Sequence, residues 1–97
     1  MKVYEGCRGL TGAVVTVNGA PLDPRVDIHR FSRRFEWTYA GDAPRQLALA
    51  LLADHLGDPE QALSITESFM REVVADLDNA WRLTDAEIDA AVATLTE

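Results

Sequence analysis

The run QLALALLADHL, Gln46 to Leu56, constrains this chain more than any other stretch. Its apolar residues fall almost all round a helix, the mark of a helix that neighbours cover on most sides. Leu47, Leu49, Leu51, Leu52 and Leu56 form the expected burial set. The flanks agree with that reading. Gly41 permits a sharp change of direction, Asp42 suits an N-cap, Pro44 is tolerated in the first turn, and Gly57 suits the position just past the end. A chain of 97 residues is one domain with a single core, so the other elements must be what covers this helix.

Downstream, Asp58-Pro59-Glu60-Gln61 predicts a second helix with a cap, a first-turn proline and a capping-box glutamine. It is expected to reach about Leu77, with Ala62, Ile65, Phe69, Met70, Val73, Val74 and Leu77 as its apolar stripe. DNAWRL reads as a connection from which Trp81 and Leu83 fold back onto the core. Thr84 to Glu87 is another capping box, opening an amphipathic helix through Ile88, Ala91, Val92 and Leu95. Upstream, VYEGCR and GAVVTVNGAP read as paired strands, with Asn18-Gly19 favouring the positive φ of a hairpin turn. The two prolines of PLDPR mark a loop. In FEWTY, alternation puts Phe35, Trp37 and Tyr39 on one face of a strand and Glu36 on the other, away from the rings. The expectation is one α+β domain over residues 1–97. A small, mostly antiparallel sheet in residues 1–40 packs against three helices in 43–97.

Charge is lopsided. Residues 1–45 carry seven Lys/Arg against five Asp/Glu, and residues 46–97 carry two against eleven, splitting a net −7 into +2 and −9. The acids Glu60, Glu67, Glu72, Asp76, Asp78, Asp85, Glu87 and Asp89 lie on the last two helices and their joint. If they share an exposed side, they can mimic the spaced charges of a duplex and occupy a basic groove of a protein partner. The alternative is an accessory interaction module that binds nucleic acid or a partner through RFSRR, where Arg30, Arg33 and Arg34 flank Phe31 and suit phosphate contact with base stacking. Against that stands the option that these arginines pair with the acids of the helical half. Direct nucleic-acid binding is accordingly the secondary expectation.

Other chemistries find little support. His29 and His55 are the only candidate bases for a small enzyme, and no serine sits in a nucleophile-elbow pattern. Asp54 to Asp58 clusters ligand types but matches neither a His-x-x-x-His nor a calcium-loop spacing, and Gly6, Gly9 and Gly12 lack a phosphate-loop context. No catalysis, metal or cofactor is expected. The lone Cys7 has no intrachain partner. No apolar run approaches the roughly 20 residues of a membrane span, and MKVYEGCRG lacks a signal-peptide h-region, so a cytoplasmic protein with no membrane partner is expected.

LDPRVD, FEWTYAGDAPRQLALALLADHLGD, REVVADL and WRLTDAEIDAAV together resemble a small family of uncharacterised bacterial and phage proteins, over nearly the whole chain. Thr38 stands where that family is expected to have glycine. The resemblance implies a context rather than a reaction: short acidic proteins of phages include stoichiometric inhibitors of host defence, among them anti-CRISPR proteins. The expected partner is then a protein, such as a CRISPR-Cas surveillance complex or its nuclease, in a bacterial cytoplasm.

Overall fold

The computed structural model describes residues 2–10 and 12–96. It is an α+β fold in which a four-stranded antiparallel sheet, ordered β3-β2-β1-β4, meets three helices. β1 (Val3–Gly9) and β2 (Gly12–Val17) form the expected hairpin, in register from Tyr4 opposite Val17 to Gly9 opposite Gly12. Asn18 and Gly19, both at positive φ, turn the chain into the two-residue β3 (Ala20–Pro21). Tyr4 and Val15 enter the core, whereas Glu5, Cys7 and Val14 point to the opposite, uncovered face.

The connection expected at DNAWRL contains a strand. β4 (Trp81–Thr84) pairs antiparallel with β1, Gly6 opposite Trp81 and Val3 opposite Thr84. Trp81 and Leu83 turn inward as their apolar character requires, and β1 supplies the ladder partners that their backbone needs. Gly6 makes this close approach possible, since a Cβ there would overlap the Trp81 indole. The helical half of the chain therefore contributes one of the sheet's four strands.

The core centres on α1 (Asp42–Leu56), where Leu47, Leu49, Leu51 and Leu52 are fully buried and Leu56 partly so. Gly57 closes it in the left-handed conformation, φ 67°, its N–H donating to Ala53 O. The helix opens differently from expectation. Gly41 occupies the N-cap and Asp42 is the first helical residue, its carboxylate accepting from the Arg45 guanidinium three positions on at 2.9 Å instead of capping a backbone N–H. It still favours the helix electrostatically, as an acid in the first turn.

α2 (Pro59–Glu72) starts as predicted, with Asp58 accepting from the N–H groups of Glu60 and Gln61. It stops short of Leu77. At Val73 (φ −119°, ψ −60°) the chain leaves the α-helix and tightens into one 3₁₀ turn, Val74–Asp76, with Val74 still fully buried. α3 (Asp85–Leu95) carries the complete capping box of Thr84 and Glu87, and buries Ile88 and Val92.

The largest departure is the segment between β3 and α1, residues 22–41, which contains no strand. Trp37 is fully buried, Phe35 half-buried and Tyr39 exposed, so the three rings do not share a face. Thr38 explains the break. Its left-handed backbone, φ 78°, ends the two-residue alternation, and its N–H donates to Val74 O at 3.3 Å. Glu36 meets Arg8 of β1 at 2.8 Å, and the Arg8 guanidinium lies 4.6 Å from the Trp37 ring centroid. Arg8 also donates to Trp37 O and Asn79 Oδ1. Trp37 and Trp81 meet edge to face, with centroids 5.7 Å apart.

Candidate functional site

Half of the eight acids singled out by charge have structural work within the chain. Glu67 bridges two arginines, 2.5 Å from Arg45 Nε and 2.6 Å from Arg71 Nε. Hydrogen bonds from Arg45 first, then Arg71, hold its carboxyl down at about 2. Asp85 accepts from the Lys2 and Ala86 N–H groups, which lower its pKa, the Lys2 bond counting most. Glu87 completes the capping box, and Asp89 Oδ1 lies 2.6 Å from His55 Nε2. Glu60, Glu72, Asp76 and Asp78 are exposed, and among the described residues their side chains have no ion-pair or hydrogen-bond partner.

Three of those four lie in the stretch that leaves α2. Glu72 borders a groove of about 410 Å³ between the ends of α2 and α3, lined also by Val73, Ala91, Thr94 and Leu95. Asp76 and Asp78 follow along the same chain segment. Glu60 stands apart at the start of α2. Of the eight acids, Glu72 is the one that borders this groove, whose other lining is Val73, Ala91, Thr94 and Leu95.

The RFSRR segment is built on one buried amide. Gln46, in the first turns of α1, is fully buried, and its Oε1 accepts from the N–H groups of Phe31 and Ser32 at 2.7 and 3.2 Å. Its Nε2 donates to Pro24 O and His29 O at 2.6 and 3.1 Å. One side chain thus satisfies four backbone groups of an irregular segment that has no ladder to satisfy them. Ser32 Oγ adds a turn by accepting from Arg34 N–H. Phe31 is half-buried against the core, its ring tilted onto His29 with centroids 4.3 Å apart, so it does not present a free stacking face.

Arg30, Arg33 and Arg34 are exposed, and no ion pair to any of them occurs among the described residues. A pairing with an acid of the helical half is made instead by Arg45, which reaches Glu67. Gln46 was visible in the sequence as the polar residue opening a leucine-rich run. Its role was not, because the backbone it binds lies up to 22 positions earlier in the chain.

The two histidines do not converge on one site. His29 is exposed beside Phe31; His55, its side chain only 10% exposed, pairs with Asp89 near the end of α1. No serine, threonine or cysteine side chain bonds either ring, and no three His, Cys, Asp or Glu residues gather as a metal-ligand set, in both cases among the described residues. Cys7 is exposed on the open sheet face. No helix among the described residues is long and apolar enough to cross a membrane.

Residues 4–94 match the model of a family of unknown function, DUF6166. The chain belongs to that family. The DUF6166 match spans every strand pairing of β1 from Tyr4 onward, the Gln46-anchored segment and all of the α2–α3 groove lining except Leu95. No curated protein and no solved structure matches the chain.

Proposed function

We propose that this protein is a non-catalytic module that binds a basic protein surface through the acidic end of α2 and the adjoining α2–α3 groove. The most concrete form of this reading is inhibition of a nucleic-acid-handling defence complex of the CRISPR type, with the module occupying a site that otherwise takes nucleic acid or another subunit. The observation that carries the reading is an apolar groove floor of Val73, Ala91 and Leu95, bordered by Glu72 and followed by Asp76 and Asp78, acids with no side-chain partner among the described residues. An apolar centre with a charged rim is the usual anatomy of a protein interface, and uncommitted acids steer basic partners without first breaking an internal ion pair.

Glu67, Asp85, Glu87 and Asp89 contribute field but stay bound to their own partners. A purified CRISPR surveillance complex with its nuclease, assayed for target cleavage with added module, tests the reading. Cleavage should fall stoichiometrically, and a Glu72→Lys, Asp76→Lys, Asp78→Lys variant should lose both the inhibition and nuclease-resistant co-purification with the complex. Unchanged cleavage, or inhibition that the triple reversal leaves intact, overturns it.

A further inference from the structure

Nine lysines and arginines stand in this chain among sixteen acids, and the structure divides them sharply. Lys2, Arg8, Arg25, Arg45 and Arg71 each hold a carboxylate. The remaining four, Arg30, Arg33, Arg34 and Arg82, have no ion-pair partner among the described residues, and three of them fall within five consecutive positions of one loop. From this partition we infer that residues 29–34 form a binding site for the phosphate backbone of a nucleic acid, with Arg30, Arg33 and Arg34 as the phosphate contacts and Gln46 as the residue that positions them. The inference goes beyond the groove reading and involves different elements.

Three features support the assignment. First, the arginines lie in a long segment without regular structure, residues 22–41, and long irregular segments in small compact domains are uncommon and usually functional. Second, that segment is pre-shaped. Four backbone hydrogen bonds to a fully buried amide hold Pro24, His29, Phe31 and Ser32, and Ser32 Oγ accepts from Arg34 N–H, so part of the ordering cost of presenting the arginines is met on folding rather than on binding. Third, the cations are all arginine, whose planar fork matches phosphate oxygens bidentately. At about 3.3 Å per residue, an extended Arg30-to-Arg34 stretch covers at most roughly 13 Å, room for two or three consecutive phosphates.

The chemistry also sets limits. Phe31 is packed inward, so base stacking contributes little and the contact is independent of sequence. The acidic helical half repels any polyanion that extends beyond the loop, which favours a narrow strand over a planar anionic membrane.

Fluorescence anisotropy with a labelled oligothymidylate, titrated across a range of salt concentrations, tests this. The wild type should bind in the weak range of non-specific contacts, about 10⁻⁴ to 10⁻⁶ M, with a log–log salt slope near −2 for three phosphates on a single strand. Arg33→Ala should weaken binding several-fold and flatten the slope by about 0.7. Arg82→Ala removes the same charge from an exposed position on β4 that has no ion-pair partner among the described residues, and should leave both quantities unchanged. All four side chains are exposed, so each variant is expected to keep the wild-type melting curve. Absence of binding at low salt, an equal effect of Arg82→Ala, or tighter binding to phosphatidylserine vesicles than to the oligonucleotide would each overturn the assignment. None of these outcomes bears on the groove, which is read by protein capture after nuclease treatment.

Discussion

The two segments on either side of Gly41 are ordered by opposite means. α1 is held by close apolar contact, with Leu47, Leu49, Leu51 and Leu52 all fully buried among α2, the sheet and α3. Residues 22–41 bury only Leu22 and Trp37 and are held by polar clamps: Gln46 on the backbone between Pro24 and Ser32, and Arg8 on Glu36 and Trp37. Apolar contact is non-directional and shared among many neighbours, whereas each clamp is a few directed bonds through one side chain. Stability in α1 is therefore global, and order in the loop is local and separable.

The comparison breaks most visibly at Leu51. Leu51→Ala leaves a cavity in the shared core and should cost about 2–5 kcal/mol, lowering the melting temperature by on the order of 10 °C or more. Hydrogen exchange should speed up in the helices and the loop together. Faster exchange confined to the loop would contradict the shared core.

Gln46→Leu sharpens the distinction. It keeps the volume apolar but strips partners from four backbone groups, a loss of about 1–3 kcal/mol that the loop can limit by opening to water. The Phe31 and Ser32 amides should lose their protection while amides in the middle of α2 keep theirs. If α2 loosened equally, the loop would be part of the global unit.

The smallest effect belongs to the exposed bridge of Glu67 with Arg45 and Arg71. A depressed carboxyl contributes stability that is fully present above its ordinary value of 4.5 and is lost as pH falls through about 2. Thermal melts of the wild type and Glu67→Gln should differ slightly near neutral pH and converge on acidification. A gap that persisted undiminished well below pH 2 would assign the effect to packing instead.

What the sequence makes legible follows the same division. α1 could be read because a run that is apolar all round has few alternatives in water, and α3 because Thr84 and Glu87 meet at fixed spacing within one turn. FEWTY misleads because the pattern of alternation is carried by side-chain type, while the left-handed turn at Thr38 depends on Val74 O and Arg8, which arrive from elsewhere in the chain. β4 is four residues long and is a strand only because β1 offers it an open edge. The candidate sites divide likewise. The composition of RFSRR and of the acidic helices was plain, but which charges remain uncommitted depends on pairings such as His55 with Asp89 and Arg45 with Glu67, between residues far apart in the chain.

The central place of β1 carries a consequence for how the molecule assembles. Its first partner, β2, follows it directly, but Val3 to Gly6 acquire their second neighbour only from Trp81 to Thr84, so two segments far apart in sequence must meet before the sheet is complete. Such distant closure is slow compared with hairpin and helix formation. During synthesis, the hairpin and α1 can form early, while one side of β1 stays bare until Trp81 to Thr84 have emerged. The domain should therefore commit to its final shape late and in a single step, with β4 as the latch.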